Sequence, residues 1–464
     1  MESERHNMFE AGRPAGALPG LTRRELVVRG GLAFAGLTVV GAVAARARAS
    51  TPFPGADQYG AEVPAAWFDL ALDLVQTTPG YSPPVASRAF AYAGLALYEA
   101  LVPGMDGFQS LGDVLASLDQ LPTAGKNAAY DWPTVANAGL ASILRSLFPT
   151  GQPEQLAAVD ALESSFIERL RAGLPAGVFA RSVRRGQDVA AALFEWSKGD
   201  GGHEGFLHNF PPYDPPVGPG YWVPTPPGFL PALQPYWGSN RCLAVANGAA
   251  CPPGDHPPFS EDRASVFYGQ ALEVYEAVNQ LSQEQEEIAR FWSDDPGQTP
   301  TPPGHSISIA TQVLRNEDAS LATAAETYAK VGMAICDAFI ACWYQKYSYN
   351  LIRPVSYLQR LVDPDWLPLL VTPPFPEYTS GHSIQSGAAF QTLTDLFGEG
   401  YAFVDHTHDD RGLPPRSFGS FLEAAEEAAI SRLYGGIHFR SAIVNGVTQG
   451  KCIGQVVSAL PLLS

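Results

Sequence analysis

The chain has 464 residues, of which 46% are hydrophobic and only 16% are charged, with 45 glycines and 41 prolines. It can bury a large core, as two domains or one large helical domain, and the mix excludes a disordered or coiled-coil protein. A net charge of −18 argues against nucleic acid or anionic lipid as partners of the general surface.

At the N-terminus, Thr22-Arg23-Arg24-Glu25-Leu26 forms a twin-arginine pattern. An apolar stretch from Gly30 to Ala45 follows, and Ala47-Arg48-Ala49 is a small-x-small cleavage pattern before Ser50. The alternative, a membrane anchor, needs ~20 apolar residues, more than this Gly/Ala-rich run supplies before Arg46 and Arg48. Residues 1–49 are therefore expected to be a twin-arginine export signal, with no permanent membrane span, and the protein to be periplasmic or secreted. Without that segment 22 basic residues face 43 acidic ones, a net of −21. Any anion bound here must be held by a local basic cluster against the global field.

Residues 50–200 carry helical periodicity: Ala91, Leu95, Tyr98 and Val102 share a face, as do Val189, Leu193 and Trp196. Residues 201–258 form a Pro/Gly/aromatic stretch that includes Trp222 and Trp237. It is expected to be a connecting loop, and loops of this length are functional or link domains. Helices resume over 259–464, with Ser282-x-x-Gln285 as a capping box. No sustained alternating strand occurs, so the fold class is all-α. Of the five cysteines, Cys242 and Cys251 flank a short loop and could pair after export, while Cys336 and Cys342 belong to a core helix.

The longest helix is predicted over Leu321 to Tyr347, with Ile335, Phe339, Trp343 and Lys346 on one face. A lysine on a buried face needs a partner or a ligand, although near a helix end it can also snorkel to solvent. Arg353-Pro354 follows, where the proline ends or bends the helix. In Pro376-Glu377-Tyr378-Thr379-Ser380-Gly381-His382, Ser380 as N-cap would turn its hydroxyl, the Gly381 amide and the helix dipole toward one point, a ready anion site. Ser420-x-x-Glu423 caps a helix that delivers Arg432. Gly435-Gly436 should then break the chain so that His438 opens the next helix. Three cations, a hydroxyl, an exposed amide and two histidines thus fall within 93 residues, a set that suits a multivalent oxyanion.

Lys-x6-Arg-Pro, Ser-Gly-His and Ser-Arg-x5-His together resemble the signature of vanadium-dependent haloperoxidases and the type 2 phosphatidic acid phosphatase superfamily. Lys346, Arg353, Ser380, Gly381, His382, Arg432 and His438 match it residue by residue. Thr379 departs from it, standing where the family commonly has proline. Phe291-Trp292 to Gly304 and Tyr221-Trp222 to Trp237 more weakly resemble the bacterial haloperoxidase branch. The resemblance implies paired four-helix bundles and a vanadate cofactor, whose place phosphate can take. It implies that Lys346, Arg353, Ser380, Gly381 and Arg432 hold the vanadate oxygens and that His438 ligates vanadium. His382 would be the general acid–base on hydrogen peroxide, and Lys346 would add positive pull on that peroxide. Asp295, or else Asp294, would pair with the second arginine.

Chloride-oxidising members are similar in placing aromatic residues near the halide, here Trp343 and Phe375. Core packing is the plainer reading of those two. The expected activity is peroxide-dependent oxidation of halide to hypohalous acid or a halogenated product. The alternative on the same pocket is an exported acid phosphatase, hydrolysing phosphate esters through a phosphohistidine at His438. His406-Thr407-His408-Asp409-Asp410 also looks like a metal cluster but lacks a partner segment. It is expected to be a solvated loop with no metal. His203, His208, His256 and His305, in Pro/Gly-rich connections, are expected to have no role.

Overall fold

Local signals set most helix ends in the computed structural model, which describes residues 53–118 and 120–463. The twin-arginine segment lies outside those residues. Proline, which lacks an N–H and is preset for helical φ, stands in the first turn of α2 (Pro83–Leu101), α3 (Trp132–Leu147) and α4 (Pro153–Arg171). Asp131 caps α3 by accepting from the Thr134 amide at 3.0 Å. With α1 (Glu62–Thr77) and α5 (Ala176–Ser197), these helices precede the long loop. Beyond it come α6 (Val266–Asn279), α7 (Gln283–Phe291), α8 (Thr301–Asn316), α9 (Leu321–Tyr349), α10 (Pro354–Leu361), α11 (Gly381–Phe397), α12 (Phe421–Tyr434) and α13 (Arg440–Ser458).

The capping box at Ser282 and Gln285 is present in both directions. Ser420 caps α12 through the Glu423 amide, whereas the Glu423 carboxylate reaches back to the Gly419 amide. Where sequence periodicity gave no strand, a hairpin pairs β1 (Phe403–Asp405) antiparallel with β2 (Arg416–Phe418). Three residues per strand are too few to show alternation.

One expected break moves, and one helix starts later than expected. α9 ends at Asn350, in the left-handed region at φ 48°, a conformation asparagine tolerates. Pro354 then opens α10 rather than ending α9. After α12, Gly436 (φ 77°) turns the chain, and α13 does not begin until Arg440. His438 therefore sits in the connection and not at a helix start.

α9 packs against α2 on one side and α11 on the other; α3 and α5 flank α2, and α12 and α13 flank α11. α2 is buried from Pro84 to Leu101, the pattern of a helix with neighbours all round. Close approach depends on missing side chains. A Cβ on Gly94 would come within 2.3 Å of the Tyr328 carbonyl, and one on Gly450 within 2.1 Å of the Ile384 carbonyl.

The long loop lies on these helices through buried polar anchors. Asp337 of α9 accepts from the Leu243, Ala244 and Val245 amides at 2.7, 2.7 and 2.9 Å. Arg88 of α2 pairs with Asp200 at 2.7 Å. Buried backbone donors require such partners, and Asp337 supplies them where residues 243–245 cross α9. The anticipated Cys242–Cys251 pairing is absent. Cys251 is bonded instead to Cys452 of α13, tying loop to helix, and Cys242, Cys336 and Cys342 are buried and free.

Candidate active site

Lys346, in the last turn of α9, is fully buried. Its ammonium donates to the carbonyls of Pro376, Glu377 and Thr379 at 2.9, 2.9 and 2.5 Å. An ammonium has three donors, and all three are engaged. This differs from the expectation that Lys346 grips an oxyanion directly: it gathers the 376–379 turn and lends its charge to the space beyond. Burial pulls its pKa down to about 7.

Arg353, the residue before α10, donates from Nε to the Phe375 carbonyl at 2.8 Å and from Nη1 to the Ile437 carbonyl at 2.8 Å. Nη1 also lies 3.2 Å from His438 Nε2. Arg432 of α12 donates to Ser431 Oγ and the Ala289 carbonyl. Burial lowers both guanidinium pKa values to about 10, so both stay charged at neutral pH. Ser380 is the N-cap of α11, and its hydroxyl accepts from the Ser383 amide. A Cβ on Gly381 would meet nothing within 4 Å, so open space lies before that backbone.

His438 Nδ1 lies 2.9 Å from Glu377 Oε1, which also accepts from the Phe439 amide at 2.9 Å. The carboxylate holds the proton on Nδ1 and leaves the Nε2 lone pair facing Arg353. Glu377 was in plain view beside Ser-Gly-His. The signal that could have found it is that a ligating histidine needs a carboxylate for its other nitrogen. Burial, then Arg353 and Lys346, push the His438 pKa well below the ordinary value. Burial raises that of Glu377 to about 7. His382 is also held well below, first by burial and then by Arg432, with a backbone hydrogen bond to Trp292 opposing.

These groups form the floor of a cavity of about 880 Å³, lined there by Gly381, His382, Arg432, Ile437 and His438. Trp343 and Phe375 both line its wall, ring centroids 4.9 Å apart. The Phe375 ring lies 4.9 Å from Lys346 Nζ and 4.9 Å from the Arg353 guanidinium carbon, as a cation–π platform. Among the described residues, Arg353 Nη2, His382 Nε2 and Ser383 Oγ are buried without a hydrogen-bond partner. Of these, Arg353 Nη2 is a donor on a charged guanidinium, and such a buried unpaired donor is costly unless an acceptor anion meets it.

Asp294 and Asp295 both line the cavity and act on Arg432, Asp294 the more strongly. Arg432 is also the largest charge acting on Asp295, whereas those acting on Asp294 are the His305 and His408 rings, and the hydrogen bonds of Arg432 go elsewhere. Asp294 is locked from behind. His305 Nδ1 lies 2.9 Å from Asp294 Oδ2, and its Nε2 lies 2.7 Å from Asp405 Oδ2. His408 Nε2 lies 3.2 Å from Asp294 Oδ1, and the Trp292 ring stacks on His305 at 4.4 Å.

Two expectations fail here. His305 is buried within α8, and His408 is buried while its neighbour His406 is exposed and pairs with Asp409. The ligand atoms of Asp294, His305 and His408 lie within 4.8 Å of one another. A carboxylate on each ring nitrogen nevertheless makes His305 a double donor, an imidazolium. Burial lowers its pKa, but Asp294 and Asp405 outweigh that and raise it to about 10. The cluster is thus an ionic clamp behind the cavity wall. No sequence spacing announced it, because its members come from 294, 305, 405 and 408.

A family model described as the VCPO second helical-bundle domain matches residues 326–461. The vanadium chloroperoxidase of Curvularia inaequalis is 26% identical over 413 residues, 74% of this chain and 67% of its own length. A solved bacterial vanadium-dependent iodoperoxidase is 36% identical, with a TM-score of 0.80 over 88% of this chain and 98% of that one. A holo bacterial vanadium-dependent chloroperoxidase shares the fold at 18% identity, with a TM-score of 0.61 over 82% of this chain and 92% of its own.

Proposed function

The chain belongs to the vanadium-dependent haloperoxidases, and from that premise we propose that it is an exported enzyme that oxidises halide with hydrogen peroxide to hypohalous acid. The observation that carries this reading is the 2.9 Å pairing of His438 Nδ1 with Glu377. Glu377 retains the Nδ1 proton, so the Nε2 lone pair faces a ring of buried cations. The residues fit vanadate, since Arg353 Nη2 is a buried and unpaired donor and nothing fills the space before Gly381. His438 Nε2 would ligate vanadium, and Arg353, Ser380, the Gly381 amide and Arg432 would hold the oxygens.

When bound, vanadate supplies Lewis-acid activation of hydrogen peroxide without changing oxidation state. The reaction takes up one proton as halide, peroxide and proton become hypohalous acid and water. His382 is suited to move that proton through Nε2, because its depressed pKa keeps it neutral and the Trp292 bond orients its ring. Lys346 and Arg353 contribute positive potential over the Phe375 face, and Trp343 beside it helps to desolvate a halide.

The test is a paired assay on one vanadate-free preparation. One half receives orthovanadate, hydrogen peroxide and iodide, bromide or chloride in turn; the other receives a chromogenic phosphate ester. Halide oxidation that requires vanadate and vanishes in His438→Ala supports the proposal. Ester hydrolysis without halide oxidation under any halide would assign the pocket to phosphohistidine chemistry.

A further inference from the structure

The turn over residues 376–379, which carries Glu377, is held from two sides. On one side Lys346 takes the carbonyls of Pro376, Glu377 and Thr379. Residue 378 is the one this ammonium leaves, and its side chain is taken by the loop that follows Cys251. The Tyr378 hydroxyl donates to the Gly254 carbonyl. Asn445 of α13 donates to that hydroxyl at 2.9 Å and to the Gly254 and Asp255 carbonyls at 3.0 and 3.3 Å. The His256 ring packs edge-on against the Tyr378 ring, centroids 5.1 Å apart. Gly254 and Asp255 are exposed, and hydrogen bonds that water can replace contribute little net. The covalent hold on this loop is the Cys251–Cys452 bond, which joins it to α13 about two turns beyond Asn445.

We propose that Tyr378 is a positioning residue for the Glu377–His438 pair, and that the Cys251–Cys452 bond acts through it as a redox switch on oxyanion binding. This rests on the vanadate reading of the site and adds its regulation. The lever is short. Glu377 is one peptide away from Tyr378, and its contact with His438 Nδ1 is 2.9 Å, so a shift of about 1 Å takes it beyond hydrogen-bond range. With the bond open, the loop leaves Tyr378 unanchored and Glu377 follows it. The His438 ring then loses the partner that fixes its orientation and keeps Nε2 free to ligate. Cys251 and Cys452 are half-buried, whereas the free Cys242, Cys336 and Cys342 are buried, so thiol reagents reach this pair first. Closing the bond takes two electrons and two protons from the thiols, and a small-molecule disulfide accepts them by becoming two thiols. Thiols stay reduced in a cytoplasm and bridge in an oxidising compartment. A chain exported folded therefore gains its full grip on vanadate only after export, away from the cytoplasmic targets of hypohalous acid.

The measurement is orthovanadate affinity by equilibrium dialysis, with folding checked by far-UV circular dichroism. The Cys251→Ser/Cys452→Ser double variant needs no reductant, which would itself reduce vanadate. Its affinity should be about tenfold weaker than that of the bridged enzyme. Tyr378→Phe, with the bridge intact, should show a loss of similar size. Wild type reduced with a phosphine, desalted and capped with iodoacetamide should match the double variant. The same reduced sample, reoxidised with glutathione disulfide instead of capped, should return to the bridged value. A double-mutant cycle reads the route through Glu377: combined with Glu377→Gln, loss of the two cysteines should change affinity less than about twofold. Wild-type affinity in the double variant or in Tyr378→Phe overturns the proposal. So does an equal loss with and without Glu377→Gln, which would make the bond a stabiliser only. Absence of orthovanadate binding by the bridged enzyme overturns the vanadate reading, and this proposal with it.

Discussion

His438 and its carboxylate partner carry the sharpest expectations at the scale of single residues. His438→Ala removes the nitrogen proposed to ligate vanadium. Equilibrium dialysis with orthovanadate should show binding lost and halide oxidation at background. Glu377→Gln keeps the shape but loses the charge that fixes the Nδ1 proton, so vanadate affinity should fall about 10–100-fold, measured by activity against added orthovanadate. His382→Ala separates binding from proton transfer. Its vanadate affinity should remain near wild type while kcat drops about 10²–10⁴-fold. Equal losses in both would show that His382 mainly holds the oxyanion. Lys346, Arg353, Ser380, Gly381, His382, Arg432 and His438 could be singled out as candidates because they stand in three short motifs. Glu377 was not, because nothing in a sequence says which carboxylate will meet a given imidazole.

Between elements, the clamp of Asp294, His305, Asp405 and His408 joins the α7–α8 connection, α8 and the β1 edge behind the cavity wall. Removing one member leaves a buried charge unpaired, so His305→Gln should cost about 3–5 kcal/mol in urea unfolding. The pH dependence follows from the directions of the shifts. His305 is raised from 6.5 to about 10, so its contribution is complete below pH 6.5 and is lost as pH rises toward 10. Asp294 and Asp405 are depressed from 3.8, so theirs is complete above the ordinary carboxylate range and is lost in acid. The penalty of His305→Gln should therefore peak between about pH 4 and pH 6.5 and shrink on either side.

The Cys251–Cys452 bond closes a span of 201 residues. Cys452→Ser should lower unfolding free energy by about 2–5 kcal/mol and loosen the loop from α13. Helix existence was readable from periodicity and from Ser, Asp and Pro in first turns. The helix end at Asn350 and the three-residue strands were not, because tertiary packing decides where a marginal turn stops; the end of α12 at Tyr434 was readable from Gly435-Gly436.

For the whole molecule, the dominant quantity is charge. Halide and vanadate must approach a strongly acidic protein to reach a cationic floor. The repulsion acts at long range, and the Debye length shrinks from about 30 Å at 0.01 M salt to about 8 Å at 0.15 M. The kcat/KM for bromide should therefore rise with inert salt over that range, measured by initial rates at fixed peroxide. A fall would mean that the local cations control the approach.

By itself, the sequence determined an all-α fold and a basic, hydroxyl and histidine cluster suited to an oxyanion, because helix periodicity, caps and short motifs are local properties. Only the tertiary structure decided that Lys346 is satisfied by carbonyls, that Asp294 and not Asp295 is clamped, and that Cys251 pairs with Cys452. It alone turned the Pro/Gly loop into the wall of a large apolar cavity. Each of these depends on which distant segments share a buried, low-dielectric space, where an unmet charge or donor must find whatever partner the packing brings within reach.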